Sequence, residues 1–264
     1  MVGGVTAASL LLASLAAGVL GGTYPRAGPQ DVRIVGGDVA QQGQFPSIVA
    51  IYHRTLFGSS FLCGGTILNE NHVLTAAQCV KGYSETSFDI VAGEQNLDED
   101  SGLEQTRRSE SFVTGHFTTT TGANDIAIIR TDSNFDFVEG LVEAVALPTD
   151  YQEPVDGALC TAVGWGYTSQ SAGDISSELR FVDLPFLTDS ECQDVYGEDA
   201  ILLDMLCAGY LGGEGVCRGD GGGPLFCDGV QQGISSWGEN CDAEPAVFTQ
   251  VSHYLDWIKL NIDL

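Results

Sequence analysis

Eight cysteines constrain this chain more than any other feature of its sequence. They form an even set, at Cys63, Cys79, Cys160, Cys192, Cys207, Cys217, Cys227 and Cys241. No Cys-x-x-Cys occurs, and the four histidines are scattered without the spacing of metal ligands. We therefore expect four disulfides formed in an oxidising compartment, although the sequence alone leaves their pairing open.

An apolar run near the N-terminus predicts that compartment. The run covers residues 7–20, which is shorter than the about twenty apolar residues needed to span a bilayer. Small residues and helix-ending glycine and proline follow it, as in a secretory signal. We predict a signal peptide over 1–22, a short propeptide over 23–33, and a secreted chain. A buried hydrophobic helix is the alternative for residues 7–20.

The charge of the chain restricts its partners. Ten Lys and Arg against 36 Asp and Glu give a formal net charge of −26. A surface this anionic repels phosphate backbones and anionic lipid, so we expect neither a nucleic-acid nor a membrane partner. The hydrophobic fraction of 44% is large enough for a packed core, which excludes a disordered acidic protein.

Short apolar runs broken by glycine, asparagine and aspartate predict an all-β fold. The exception is the C-terminal end, where Val251, Tyr254, Leu255, Ile258 and Ile262 form one apolar stripe at helical spacing. We therefore expect many short strands, arranged as a sandwich or barrels, followed by a packing helix.

Several motifs, in this order along the chain, resemble those of trypsin- and chymotrypsin-like serine proteases. They are Arg33 before Ile34-Val35-Gly36-Gly37, Cys63-Gly64-Gly65-Thr66, Leu74-Thr75-Ala76-Ala77-Gln78-Cys79, Asn124-Asp125-Ile126-Ala127, Gly164-Trp165-Gly166, Gly219-Asp220-Gly221-Gly222-Gly223-Pro224 and Ser236-Trp237-Gly238. The run from 212 to 220, with its uncharged pocket base, resembles that of crustacean collagenolytic or chymotrypsin-like enzymes.

The resemblance implies a fold and a disulfide framework. The fold is two antiparallel six-stranded β-barrels with a C-terminal helix, in one domain over 34–264. The N-terminal barrel would cover about 34–146 and the C-terminal barrel and helix about 147–264. All eight cysteines would pair, as Cys63–Cys79, Cys160–Cys227, Cys192–Cys207 and Cys217–Cys241.

Two catalytic positions depart from the family pattern. Gln78 stands where the family has its histidine, and Gly221 stands where it has its serine, whereas the aspartate remains as Asp125. An amide is no proton shuttle near neutral pH, and glycine offers no oxygen for an acyl-enzyme. We therefore expect that the chain is not an enzyme. Asp125 is interpreted either as the family's orienting acid or as a structural remnant paired with the Gln78 amide.

Other machinery of the family is retained. Cleavage after Arg33 by a trypsin-like protease would free the Ile34 amino group to pair with Asp220. Gly219 and Gly221 would supply the N–H groups of an oxyanion hole. The specificity pocket would comprise Gly215, Val216, Ser236, Trp237, Gly238 and Ala246, and it would accept a small or apolar side chain. The alternative is a cleft that binds nothing.

An acidic loop resembles the calcium loop of the family. Its ligands would be Glu94, Glu104 and the carbonyl groups of Asn96 and Glu99, which suits the preference of Ca²⁺ for oxygen. An acidic solvated loop without a metal is the alternative. No cofactor is expected to be required, and any calcium would be structural.

Three functions remain open at this point. The first is a catalytically inactive, monomeric homologue that binds a protein or peptide as an inhibitor decoy, a protease cofactor or a recognition protein. The second is a secreted digestive serine-type endopeptidase of chymotrypsin or collagenolytic type. The third is a storage or structural protein.

Overall fold

Short strands make up most of the secondary structure. The structure, a computed structural model, describes Met1 and residues 37–262 except 214 and 242. The predicted signal peptide, the propeptide and the junction residues Arg33 and Ile34 lie outside the described residues. The strands are β1 Asp38–Val39, β2 Ile48–Thr55, β3 Gly58–Asn69, β4 His72–Thr75, β5 Phe88–Ala92, β6 Gln105–Thr114, β7 Ala127–Thr131, β8 Leu159–Gly164, β9 Arg180–Leu187, β10 Met205–Ala208, β11 Pro224–Cys227, β12 Val230–Trp237 and β13 Ala246–Gln250. The helices are α1 Ala77–Val80, α2 Asp189–Tyr196 and α3 Leu255–Ile262, and a 3₁₀ turn over Val251–Tyr254 precedes α3.

Antiparallel pairing closes these strands into two barrels. The first barrel closes in the order β2–β3–β4–β7–β6–β5. The second runs β9–β10–β13–β12–β11–β8 and closes because β8 also pairs with β9, while β1 extends the sheet beside β9. The prediction of an all-β fold with two six-stranded barrels and a C-terminal helix is confirmed.

Alternating burial along the strands explains why they form barrels. In β9, Val182, Leu184 and Phe186 are buried, whereas Asp183 between them is exposed. This two-residue period places the apolar side chains on the inner face and fixes the register of the strand. The inward-facing residues of β9 join those of β8, β10, β11 and β13 in one core cluster.

The C-terminal stripe packs as predicted, but against an unexpected partner. Val251, Tyr254, Leu255 and Ile258 are buried, and Ile262 is partly buried. Val251, Tyr254 and Ile258 belong to the core cluster of the first barrel, although they follow the last strand of the second. The stripe also begins in a 3₁₀ turn, so helix α3 itself starts only at Leu255.

The structure contains all four disulfides that the resemblance implies, and no cysteine is free. Cys63–Cys79 joins β3 to the short helix α1. Cys217–Cys241 joins the segments on either side of β11 and β12. These two crosslinks fix the loops on which the candidate site is built.

Candidate functional site

Two tightly packed segments bring Gln78 and Asp125 together. Ala76, Ala77 and Cys79 are buried at the start of α1, and this burial leaves Gln78 as the exposed residue between them. Asp125 lies two residues before β7 and is fully buried. The site therefore places one exposed amide over one buried carboxylate.

The Gln78 amide makes two hydrogen bonds with its nitrogen. Nε2 donates to Asp125 Oδ2 at 2.7 Å and to the Ser236 carbonyl at 2.6 Å. The backbone N–H of Gln78 donates to Asp125 Oδ1 at 2.8 Å, and Ser236 Oγ donates to Oδ2 at 2.6 Å. The buried carboxylate thus has a donor on each oxygen.

The pKa of Asp125 reflects two opposing influences. Burial raises the pKa of this carboxyl above its ordinary value, because the charged form loses its hydration. The hydrogen bonds from Ser236 and then from Gln78 act in the opposite direction. Gln78 therefore helps to keep Asp125 ionised.

A second group of residues positions Asp125, and the sequence analysis missed it. Asp204 Oδ2 accepts from the backbone N–H of Asn124 at 2.6 Å and from the Tyr254 hydroxyl at 2.8 Å. Thr249 Oγ1 donates to the Asp125 carbonyl at 2.8 Å. Asn124 has a φ of 56°, so these contacts hold a left-handed backbone just before the carboxylate. Local sequence carries no signal for them, since Asp204 lies 80 residues from Asn124.

The turn from Gly219 to Gly223 presents two backbone N–H groups. Gly219 has a φ of +96°, which favours glycine. Gly222 N donates to the Ser235 carbonyl at 2.8 Å, and Gly64 N donates to the Gly221 carbonyl at 3.0 Å. Within the part of the chain that the structure describes, the N–H groups of Gly219 and Gly221 donate to no acceptor. They are available to a carbonyl oxygen of a bound molecule.

Residue 221 has room for a side chain. A Cβ atom built on Gly221 would meet only Cys63 Sγ, at 3.9 Å. Glycine is therefore not required here by packing. The backbone also does not require it, because Gly221 is not among the residues with positive φ.

Asp220 is a buried carboxylate between these groups. It accepts from the N–H groups of Gly166 at 2.7 Å and of Cys217 at 3.0 Å. Burial raises the pKa of Asp220 to about 6, and the two hydrogen bonds offset this only in part. Its predicted cationic partner, the Ile34 amino group, lies outside the described residues.

The residues predicted to line the specificity pocket beside this turn carry no charged side chain. Gly215 and Ala246 are buried and Val216 is half-buried. Val216, Ser235 and Phe248 also line a small cavity, and the buried Asp220 lines the same cavity. Trp237 is half-buried, with the Tyr196 ring at a centroid distance of 5.0 Å, and Gly238 is exposed.

The acidic loop has features that suit a cation. Glu94 Oε1 and Glu104 Oε2 are buried oxygen atoms without a hydrogen-bond donor. Burial, and then the charge of Glu104, raises the pKa of Glu94. The Asn96 carbonyl accepts one hydrogen bond, from Glu99 N at 3.0 Å, and keeps its second lone pair. In the described residues, however, no three His, Cys, Asp or Glu side chains cluster as a metal site. A calcium ion at this loop would therefore be bound by the two carboxylates together with backbone carbonyl groups, and this site is a proposal.

Sequence comparisons decide the family. The trypsin family model matches residues 34–258. The chain belongs to the trypsin family. Trypsin-1 of Astacus astacus is 38% identical over 240 residues, which cover 86% of this chain and 99% of that protein. Trypsin II-P29 of Gallus gallus is 35% identical over 260 residues, with coverage of 96% and 97%. Coagulation factor XII of Rattus norvegicus is 36% identical over 244 residues, which cover 86% of this chain and 40% of that protein.

These relatives contradict the prediction that the chain is not an enzyme. They are serine proteases, and their similarity to this trypsin-family chain covers most of its length. The prediction was drawn from Gln78 and Gly221 alone, and two substituted side chains do not outweigh a similarity of that extent. The chain is therefore classified with the peptidases.

The described helices also bear on localisation. None of those within the described part of the chain has both the length and the apolar character needed to cross a membrane. The four disulfides fit an extracellular protein.

Proposed function

We propose that this trypsin-family chain is secreted and that its cleft binds an extended polypeptide. The observation that carries the proposal is the pair of N–H groups of Gly219 and Gly221, which have no acceptor within the described residues. A peptide carbonyl oxygen is the acceptor to which such a pair of N–H groups donates. Residues 236–238, at the end of β12 and beside Gln78, offer backbone groups that can pair with the rest of the extended polypeptide.

The pocket sets the class of side chain that is bound. Gly215, Val216 and Ala246 provide no charge at its base, so a lysine or arginine side chain would bury its charge without a partner. A small or apolar side chain is the occupant that this lining favours. The exposed Gly238 leaves the mouth of the pocket open.

Cleavage after Arg33 by a trypsin-like protease is the proposed activation step. It would release the Ile34 amino group, which is the cation that the buried Asp220 carboxylate lacks among the described residues. Removing one partner of a buried ion pair costs about 3–5 kcal/mol. The pair would therefore order the turn that carries Gly219 and Gly221.

The relatives favour a second candidate, a secreted digestive serine-type endopeptidase of chymotrypsin or collagenolytic type. Asp125, the N–H pair and the pocket are the parts of that machinery present here. Gly221 supplies no oxygen for an acyl-enzyme, and the Gln78 amide transfers no proton near neutral pH. Hydrolysis by this chain would therefore proceed without an acyl group on residue 221.

One experiment tests both candidates. The chain is cleaved at Arg33 and titrated with a reversible protein inhibitor of serine proteases, carrying leucine or arginine at the residue that enters the pocket. Binding with a preference for leucine supports the proposal, and the absence of binding by either inhibitor overturns it. A Gly238→Phe variant, which fills the pocket mouth, is the matched control and should lose binding.

Chromogenic peptides are assayed in parallel with the parent chain and with a Gln78→His/Gly221→Ser double variant. Turnover by the parent establishes the endopeptidase. Turnover by the double variant alone overturns the endopeptidase and leaves polypeptide binding as the function.

A further inference from the structure

Arg218 lies directly beside the proposed carbonyl-binding groups. It follows Cys217, which is held by its disulfide to Cys241, and it precedes Gly219. The Arg218 carbonyl accepts from the N–H of Tyr167 at 2.7 Å. Its exposed guanidinium lies over the Tyr167 ring, with Cζ 5.3 Å from the ring centroid. Backbone and side chain are thus both held at the rim of the cleft.

The charge of Arg218 is unusual for this surface. The chain carries a formal net charge of −26, and four of the five other described arginines have a carboxylate partner, the exception being Arg108. These pairs are Arg54–Asp89 at 2.7 Å, Arg107–Asp136 at 3.2 Å, Arg130–Glu110 at 3.3 Å and Arg180–Glu178 at 3.9 Å. Arg218 has no carboxylate within 4.0 Å among the residues that the structure describes.

We propose that Arg218 is a specificity-determining residue, which selects a polypeptide with an acidic side chain close to the carbonyl bound by Gly219 and Gly221. The inference rests on the proposed function. Stacking on Tyr167 restricts the guanidinium before a ligand arrives, so less conformational entropy is lost on pairing. The anionic surface disfavours acidic ligands, and Arg218 offsets this beside the carbonyl-binding groups.

The test uses the reversible protein inhibitor with leucine at the pocket residue. Glutamate, glutamine or lysine is placed in turn at each of the two residues on either side of that leucine. Because exposed ion pairs contribute about 0.4–1 kcal/mol when the partner is held in place, we expect glutamate to bind about two- to fivefold more tightly than glutamine at one of these positions. The preference should shrink in 1 M salt.

Variants assign the preference to Arg218. Arg218→Gln should abolish it and Arg218→Glu should reverse it in favour of lysine, whereas both variants should keep the melting temperature of the parent. Arg130→Gln, which removes an exposed arginine on β7, is the charge-matched control and should keep the preference. Tight binding of all inhibitor forms without a glutamate preference, or a preference that survives Arg218→Gln, would overturn the inference alone. Absence of binding by every form would instead overturn the proposed function.

Discussion

Replacing Gln78 by methionine tests how the exposed amide supports the buried Asp125. Methionine has a similar length but no donor, so the 2.7 Å hydrogen bond to the carboxylate is lost. A hydrogen bond to a charged group contributes about 1.5–3 kcal/mol, and water partly replaces the exposed amide. We expect the free energy of unfolding to fall by about 1–2 kcal/mol at pH 7, which corresponds to about 2–8 °C in melting temperature.

The pH dependence of this difference follows from the pKa of Asp125. Burial already raises that pKa in the folded state, and loss of the Gln78 donor raises it further. A carboxyl with a raised folded pKa loses stability as the pH rises from its unfolded pKa to its folded pKa. The difference between variant and parent is therefore small near pH 3 and complete above the folded pKa of the variant.

Urea unfolding of both proteins from pH 3 to pH 7 measures the effect. Gln78→His, which can still donate to Asp125, is the control and should keep the stability of the parent. A methionine variant as stable as the parent at pH 7 would refute the proposed stabilisation of Asp125 by the Gln78 amide. A loss of stability that is equal at every pH would also refute it.

Three further predictions concern other parts of the site. In the chain before cleavage, the folded pKa of about 6 for Asp220 against an unfolded value of about 3.9 should lower stability by about 2 kcal/mol as the pH rises from 4 to 7. Asp220→Asn should remove this slope in urea unfolding, and an unchanged slope would contradict the assignment. Calcium at a hundredfold excess over Kd should stabilise the parent by about 2.7 kcal/mol in a thermal melt, and it should not stabilise the double variant Glu94→Gln/Glu104→Gln. Equal melting curves for the parent with and without millimolar calcium would rule out the site. A Cβ atom at residue 238 would lie 3.8 Å from Ala246 Cα, which is an ordinary contact, so Gly238→Val should fold. The variant should bind inhibitors with alanine in the pocket and reject those with phenylalanine. Equal affinity for both inhibitors would place the pocket elsewhere.

The fold could be predicted from the sequence because its signals are local or carried by ordered motifs. Alternating burial in strands such as β9 and the stripe from Val251 to Ile262 are properties of short segments. The disulfides, by contrast, required the resemblance, since counting cysteines leaves the pairing open. The docking of α3 against the first barrel is long-range packing, which no periodicity within the helix specifies.

The candidate site could be predicted only in part. Motif positions identified Gln78, Asp125 and Gly221, but not the second hydrogen bond of the Gln78 amide to the Ser236 carbonyl. The contacts of Asp204 with Asn124 and Tyr254 were missed for the same physical reason. They join segments that are distant in the chain, and a single aspartate between apolar residues predicts no particular partner.

The backbone amide signals of Gly219 and Gly221 report directly on the proposed binding of a peptide carbonyl. The chain cleaved at Arg33 is labelled with ¹⁵N, and its amide spectrum is recorded while the leucine inhibitor is added. We expect these two N–H protons to shift downfield as they donate to the inhibitor carbonyl, with signals of residues 236–238 shifting in parallel. Saturating binding that leaves the Gly219 and Gly221 signals unmoved would contradict this proposal.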